Sequence, residues 1–372
     1  MEKTLEHYLE SGLIIGKADR SIVIKVLHGK RISEKEALHL YTKTETGLLS
    51  LMADHVRTKL NSDKVFFIRN IHLEPTNLCI YNCKFCSFVC KTKSSSLTYT
   101  LQEIGKMAEQ IGKDINEIHI TGGTHPDSSI DQYEKILTII RTKNPKIHIK
   151  AFSAAELFYI FKKDRIEFSE GLKILIKAGL NSIPGGGAEI FDEKIRKEIC
   201  PEKITSAAWL GIHRAAHQSG IFSNATMLYG HIENYLHRTD HMNRLRELQD
   251  ETGGFNAFIP LKFRNKNNSL SHLEEVTLLE DLRSYAVARI FLDNIPHLKA
   301  YWPMLGKKQA QLALSFGVDD IDGTINNSTT IYTTAGVNNN ENTLSVVELK
   351  KMITQSGFTP IERYSDYSAV KN

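Results

Sequence analysis

The sequence has little of what marks membrane, secreted or nucleic-acid-binding chains. No apolar run approaches the ~20 residues of a membrane-spanning helix, and Met1-Glu2-Lys3-Thr4-Leu5-Glu6 carries no signal-peptide core. The 47 Lys and Arg against 43 Asp and Glu leave a net charge of only +4. The two signs are interspersed, so nothing demands a nucleic-acid or membrane partner. Five cysteines in 372 residues do not make a disulfide framework and suit a reducing cytosol. There are no internal repeats, and the one biased stretch is the asparagine-rich run 338–342. The expectation from bulk properties is a soluble, cytoplasmic α/β protein of one large domain or two ordinary ones.

What the chain does have is a concentration of thiols. Three of the five cysteines fall in Cys79-Ile80-Tyr81-Asn82-Cys83-Lys84-Phe85-Cys86, directly after the apolar run 65–73. Thiolates at this spacing can hold one side of a [4Fe–4S] cube and leave its fourth iron without a protein ligand. Protein clusters more usually have four thiolates, so an open iron points to chemistry rather than electron storage. Zinc is a competing reading, with Cys90 as the fourth N/S ligand that a structural zinc site wants. Burial as inert thiols is a third.

Residues 1–60 read as a helical cap. Leu5, Leu9, Leu13 and Ile14 share a face, and Ser33-Glu34-Lys35-Glu36 has the form of a helix start. From Val65 onward β-like runs alternate with helical stretches. Strands are predicted at 66–73, 117–121, 146–152, 181–184, 223–229, 256–261, 289–294 and 319–323. Helices are predicted at 101–111, 132–143, 169–178 and 206–219. This rhythm over about 260 residues is that of a (β/α)8 TIM-type barrel. An open doubly wound sheet would carry a Gly-rich phosphate loop after its first strand; here the cysteines occupy that place. The expected division is a cap over 1–60, the barrel over 61–330 and a C-terminal extension over 331–372 packing on it. A last helix is predicted over 345–356, before a Gly357-Phe358-Thr359-Pro360 turn.

Strand C-termini in a barrel share one rim, where active sites assemble. By that rule the rim collects Glu74-Pro75-Thr76-Asn77 and the cysteines, Thr121-Gly122-Gly123-Thr124-His125-Pro126, and Ser153-Ala154-Ala155-Glu156. It also collects Gly185-Gly186-Gly187-Ala188-Glu189 and Tyr229-Gly230-His231-Ile232-Glu233. Gly122 and Gly123 allow close backbone approach to a ligand. Glu189 sits at an expected helix start, where a carboxylate suits the dipole; its other reading is a ligand to ribose hydroxyls or a neighbouring cation. His213 and His217 share a helix face, without the Glu of a zincin motif.

The Cys-x3-Cys-x2-Cys triplet with Phe85 before its last cysteine resembles the signature of radical S-adenosylmethionine (SAM) enzymes. Residues 69–77, 121–127, 184–191, 199–204, 224–233 and 248–260 further resemble the radical enzymes of the futalosine route to menaquinone. The resemblance implies a radical SAM barrel, with Cys79, Cys83 and Cys86 holding a [4Fe–4S] cluster whose open iron takes the methionine end of SAM. It implies SAM contacts from Phe85, Gly122, Gly123, Thr124, Ser153, Glu189, His217 and Glu233. The family's Gly-Gly-Glu is Gly-Gly-Thr here, so backbone carbonyls or Thr124 must serve the methionine amino group.

The implied reaction adds the 5′-deoxyadenosyl radical to the double bond of an aryl enol-ether dicarboxylate, 3-[(1-carboxyvinyl)oxy]benzoate. SAM is consumed as co-substrate, and an external one-electron donor such as flavodoxin or ferredoxin is required. His72–Asn77 and His125-Pro126 favour this branch over a sister branch that cyclises a nucleoside. Arg69, His72 and His125 are the catalytic candidates, and Lys262 and Arg264 further candidate cations for the two carboxylates.

Overall fold

The computed structural model describes residues 5–10, 16–324, 331–336 and 343–370. Its centre is a sheet of short parallel strands: β1 (Lys64–Phe67), β2 (Asn70–Leu73), β3 (Glu117–Ile120), β4 (His148–Ala151), β5 (Ser182–Ile183), β6 (Phe222–Tyr229), β7 (Phe255–Lys262), β8 (His297–Ala300), β9 (Asp320–Ile321) and β10 (Thr359–Glu362). Neighbours run in the order β10-β1-β9-β8-β7-β6-β5-β4-β3-β2. Since β1 and β2 are consecutive in the chain, the sheet curls back on itself.

The predicted first strand, 66–73, is therefore two strands that exchange partners at residues 68 and 69. Phe66 and Phe67 pair with Asp320 and Ile321 of β9, whereas Asn70–Leu73 pair with Glu117–Ile120 of β3. At the exchange, Ile68 O accepts from Thr324 N (3.3 Å) and Arg69 O from Asn116 N (2.9 Å). The curl is closed by the chain itself.

Alternation along each strand separates two environments. Ile118, Ile120, Ile149, Ala151, Leu298 and Ala300 are buried apolar residues; packed under the helices, they supply the hydrophobic stabilisation. The alternate positions, among them Asn70, His72, Glu117, His119, Lys150, Lys299 and Asp320, face the bore. Such a polar lining is unusual for a strand core and bears on function below.

The seventh strand of the barrel differs from its prediction. Residues 289–291 end the helix Leu278–Phe291, and the strand follows at His297–Ala300. A short run such as Arg289-Ile290-Phe291-Leu292 cannot be told from a buried helix turn by periodicity, and nearly all of this helix is buried. The true strand, His297-Leu298-Lys299-Ala300, hides behind two polar residues aimed inward.

The N-terminal helices Lys17–Leu27, Glu34–Thr42 and Thr46–Asn61 pack beside the barrel, the second opened by a Ser33/Glu36 capping box. Leu5 and Leu9 lie on the helix Leu5–Glu10, while Leu13 and Ile14 are outside the described residues, as are 325–328 and 338–342. The last helix is Val346–Gln355. The predicted turn 357–360 instead leads straight into β10, which pairs with β1 alone. An edge strand tolerates a residue such as Pro360, which has no N–H to donate.

From β10 the chain turns into the floor of the barrel, the end where strands begin. Arg363 reaches Asp320 (2.6 Å), Ser365 Oγ donates to Glu117 (2.7 Å), and Tyr367 OH donates to Asp320 (2.5 Å). The Tyr367 ring stacks on His297 with centroids 3.5 Å apart. Residues 363–367 thus plug the floor with polar side chains.

Candidate active site

The loop after β2 carries the three thiols, and four other segments hold it. Ile80 N donates to Thr124 O (3.0 Å), Lys84 N to Ile199 O (2.7 Å), and Ser269 N to Lys84 O (2.9 Å). Asn82 N donates to the Glu202 carboxylate (2.9 Å), and Tyr81 OH to Ala155 O (3.2 Å). At Gly122 and Gly123 the structure shows a further need for glycine. A Cβ on Gly122 would meet Thr76 O at 2.6 Å, and one on Gly123 would meet Leu78 O at 2.4 Å. Their missing side chains make room for the backbone of the cysteine loop itself.

Cys79, Cys83 and Cys86 are free, half-buried thiols. Cys83 and Cys86 line an open cavity of about 630 Å³ whose far wall is Asn265–Ser269 and Ser271. Burial pushes the Cys83 thiol up to about 12 and that of Cys86 upward as well. Three half-buried sulfurs on one loop fit a cluster gripped from one side; the buried Cys200 thiol lies on the segment that packs against that loop, close enough to act on Cys83. Cys90 does not supply a fourth ligand: its sulfur lies 3.2 Å from Ser95 Oγ and 3.5 Å from Thr92 O. Among the described residues no three His, Cys, Asp or Glu side chains converge on a single-ion site.

Around this loop the rim holds a second, ionic layer. Glu189 is not at a helix start, since the next helix, Glu193–Ile199, is capped by Asp192. It sits instead at φ +48° with its carboxylate 2.5 Å from Lys203 Nζ. Lys203 also stands 5.6 Å over the Phe85 ring. Burial opposes the Lys203 charge, but Cys83 and Glu189 beside it outweigh burial and raise its pKa well above the ordinary value. Lys203 escaped the sequence reading because only the resemblance singled out its segment. Thr124 is buried. His125 accepts from Asp127 N at Nδ1 (3.0 Å) and lines a small cleft with Thr76, Gly123 and Glu156.

Two of the expected cofactor contacts are consumed by local structure. Ser153 caps the helix Ala154–Asp164 in a capping box with Glu156. Glu233 accepts from Gly230 N (2.6 Å) and His231 N (2.8 Å) and pairs with Arg238 (2.8 Å).

Two others, Arg69 and His217, lie away from the rim, contrary to expectation. Arg69 shares its parity with Ile71, so it faces outward, and it pairs with Asp114 (2.9 Å) and Glu362 (2.9 Å) near the strand starts. His217 is in the last turn of the helix Ser206–Gln218, which runs antiparallel to the strands and ends at the floor. Its ring nitrogens bond Thr252 Oγ1 (2.6 Å) and Ser223 Oγ (2.7 Å), and burial lowers its pKa to about 4. Neither can touch a ligand at the cysteine loop. Lys262 and Arg264 reach the rim side but are already paired, with Asp281 (2.8 Å) and Glu275 (3.1 Å).

His72 is in the bore, its ring 4.7 Å from that of His119. Register lines His72, His119 and Lys150 across β2, β3 and β4. Burial lowers the pKa of His72, and that of His119 well below the ordinary value. Lys150 pairs with Glu117 (2.8 Å), and Lys299 with Asp322 (3.1 Å). Burial alone would raise the Glu117 carboxyl, yet Lys150, His148 and Lys299 hold it well below its usual range.

Residues 73–245 match the model of the radical SAM superfamily, and 252–372 that of the CofH/MqnC C-terminal region. The chain is 40% identical to aminodeoxyfutalosine synthase of Thermus thermophilus, over 94% of this chain and 95% of that one. It is 35% identical to a 5-amino-6-(D-ribitylamino)uracil–L-tyrosine 4-hydroxyphenyl transferase of Methanoculleus marisnigri, covering 94% and 97%. With cyclic dehypoxanthine futalosine synthase of Streptomyces coelicolor it shares 34% identity, covering 94% and 89%. The crystal structure of methylornithine synthase superposes with a TM-score of 0.72 at 15% identity, over 91% of this chain and 97% of that one, a likeness of fold.

Proposed function

The chain belongs to the radical SAM superfamily, and from that premise we propose that it is an aminodeoxyfutalosine synthase. In this reading it joins the 5′-deoxyadenosyl group of SAM to 3-[(1-carboxyvinyl)oxy]benzoate. Rearrangement and loss of carbon dioxide or bicarbonate give 6-amino-6-deoxyfutalosine and methionine. The observation that carries the reading is the 40% identity to a synthase of that name along nearly the whole of both chains.

Membership of the family implies a [4Fe–4S] cluster and SAM. Cys79, Cys83 and Cys86 would hold the cluster, which when bound supplies the electron that cleaves the SAM sulfonium. Thr124 and the Glu189–Lys203 pair flank that loop and are our candidates for orienting SAM. His125 lines the small cleft beside the cysteine loop, and His72 faces the bore. With the cysteine loop clasped on four sides, the chain's own contribution is position and exclusion of water. The electron donor in this reading is an external small redox protein. No helix of the described residues is long and apolar enough to cross a membrane.

The test is anaerobic turnover of reconstituted protein with SAM, a strong reductant and the aryl enol ether. A product retaining adenine, with methionine released one for one, supports the synthase. Ring closure of dehypoxanthine futalosine with free 5′-deoxyadenosine would assign the cyclase reaction instead, and consumption of tyrosine with the ribitylaminouracil would assign the transferase. As a control on the ligand set, Cys83→Ala should abolish iron uptake and Cys90→Ala should leave it intact.

A further inference from the structure

The bore of the barrel contains two lysines on opposite walls. Lys150 is on β4 and Lys299 on β8, which are separated by β5, β6 and β7 one way and by β9, the β1–β2 strand and β3 the other. Both are almost fully buried, at 6% and 2% exposed. Each lysine has one carboxylate within hydrogen-bond distance, Glu117 at 2.8 Å and Asp322 at 3.1 Å; Asp320 stands 3.7 Å from Lys299. An ammonium has three donors, so each retains capacity for another acceptor.

The carboxylates behind the lysines are held from below. The second oxygen of Glu117 accepts from Ser365 Oγ (2.7 Å). Asp320 accepts from Arg363 (2.6 Å) and Tyr367 OH (2.5 Å). The floor plug thus anchors Glu117 and Asp320, while Asp322, the carboxylate nearest Lys299, is not bonded to it among the described residues. Lys150, Lys299 and Arg363 stand against Glu117, Asp320, Asp322 and, beside His72, Glu74, so recognition of an acid in the bore has to come from the two placed ammonium groups and not from net charge.

A second observation is independent of the lysines. Three buried polar atoms that face the same bore, Asn70 Oδ1, His119 Nε2 and Asp322 Oδ2, have no hydrogen-bond partner among the described residues. Buried polar atoms in native proteins are nearly always satisfied. Orphans on β2, on β3 and just after β9, around one lumen, mark a place where a polar ligand completes the structure; His119 Nε2 can donate to a carboxylate there, whereas Asn70 Oδ1 and Asp322 Oδ2 accept and call for a donor.

We infer that Lys150 and Lys299 bind the two carboxylates of the substrate from opposite walls of the bore, and that the floor residues Ser365, Arg363 and Tyr367 position them. The inference rests on the dicarboxylate substrate proposed above and names the cations that would recognise it. Ser365 and Tyr367 act through Glu117 and Asp320 and are positioning residues.

The experiment measures KM and kcat of the reconstituted full chain for the diacid and for two monoacids, 2-phenoxyacrylate and 3-(vinyloxy)benzoate. Lys150→Gln and Lys299→Gln should each raise KM for the diacid by roughly thirtyfold or more, as expected for loss of a buried charge-assisted contact. Each loss should shrink to about twofold with one monoacid only, a different one for each lysine, because the contact is then already missing. Ser365→Ala should raise KM by about fivefold with kcat unchanged, Ser365→Thr should restore it, and Ser365→Ala should add nothing to Lys150→Gln. Iron content and circular dichroism report whether each variant is folded. Equal losses with all three acids, or a fall in kcat alone, would overturn the inference while leaving the synthase reading intact. Failure of the unmutated enzyme to turn over the diacid would remove the synthase reading, and this one with it.

Discussion

At the scale of single residues, the side chain with the sharpest consequence is Glu156. It is buried, and its Oε2 accepts from Ser153 N (2.8 Å), Ser153 Oγ (2.6 Å) and Thr121 Oγ1 (3.1 Å). Burial nevertheless dominates and raises its pKa to about 7. A carboxyl that holds its proton more tightly when folded costs stability as pH rises from its unfolded pKa of about 4.3 through the folded one. The cost is complete about one pH unit above the folded pKa, at most about 4 kcal/mol. Glu156→Gln keeps a carbonyl acceptor and cannot ionise. The stability of the variant relative to the unmutated apoprotein, by urea unfolding, should therefore rise by about 3 kcal/mol between about pH 5 and about pH 8. A difference constant over that interval would show that Glu156 does not titrate there. The capping-box role of Ser153 and Glu156 is legible locally, as Ser-x-x-Glu. The raised pKa is not, because it depends on what the rest of the barrel stacks over that helix turn.

At the scale of elements, the cysteine loop and the turn after β3 behave as one unit. The loop backbone approaches Gly122 and Gly123 so closely that a methyl group on either would collide with a carbonyl. Gly123→Ala must push the loop away from β3. The expected result is a folded protein, by circular dichroism, that takes up less than about half the iron of the unmutated chain on anaerobic reconstitution. Full iron loading would show that the loop has room to move. Sequence alone locates both partners, since the triplet and the Gly-Gly pair each follow a predicted strand. It attributes the glycines to ligand approach because it cannot see that the loop is their neighbour. The same limit explains the misplaced strand at 289–294. The apolar run there reads as a strand, while the real β8 presents His297 and Lys299 to the bore and so looks too polar for a core strand.

At the scale of the whole molecule, β10 returns to pair along β1 about 300 residues after it, and the segment that follows plugs the floor of the barrel. Arg363 is 2% exposed and Asp320 fully buried. Removing one partner of such a pair strands the other charge, which typically costs about 3–5 kcal/mol. Arg363→Met should lower the unfolding free energy by about that amount, measured in urea. A loss below about 1 kcal/mol, the range of exposed pairs, would mean that the floor is open to water. The Arg363 side chain also connects stability to the proposed substrate site, because Asp320 stands beside Lys299.

Short-range chemistry was readable from one dimension. Three thiols spaced to share a loop, glycines after strands, a Ser-x-x-Glu before a helix and the βα rhythm each depend on contacts within a few residues. The choice among rim residues needed the folded molecule. Arg69 and His72 are three positions apart and look equivalent in the sequence, yet strand parity sends one outward to Asp114 and the other into the bore. His217 has a suitable side chain on a helix that ends at the wrong face. That Lys150 and Lys299 share one bore depends on how far the sheet curls and how its strands stagger. Those are set by the packing of all the helices at once, and no local spacing encodes them.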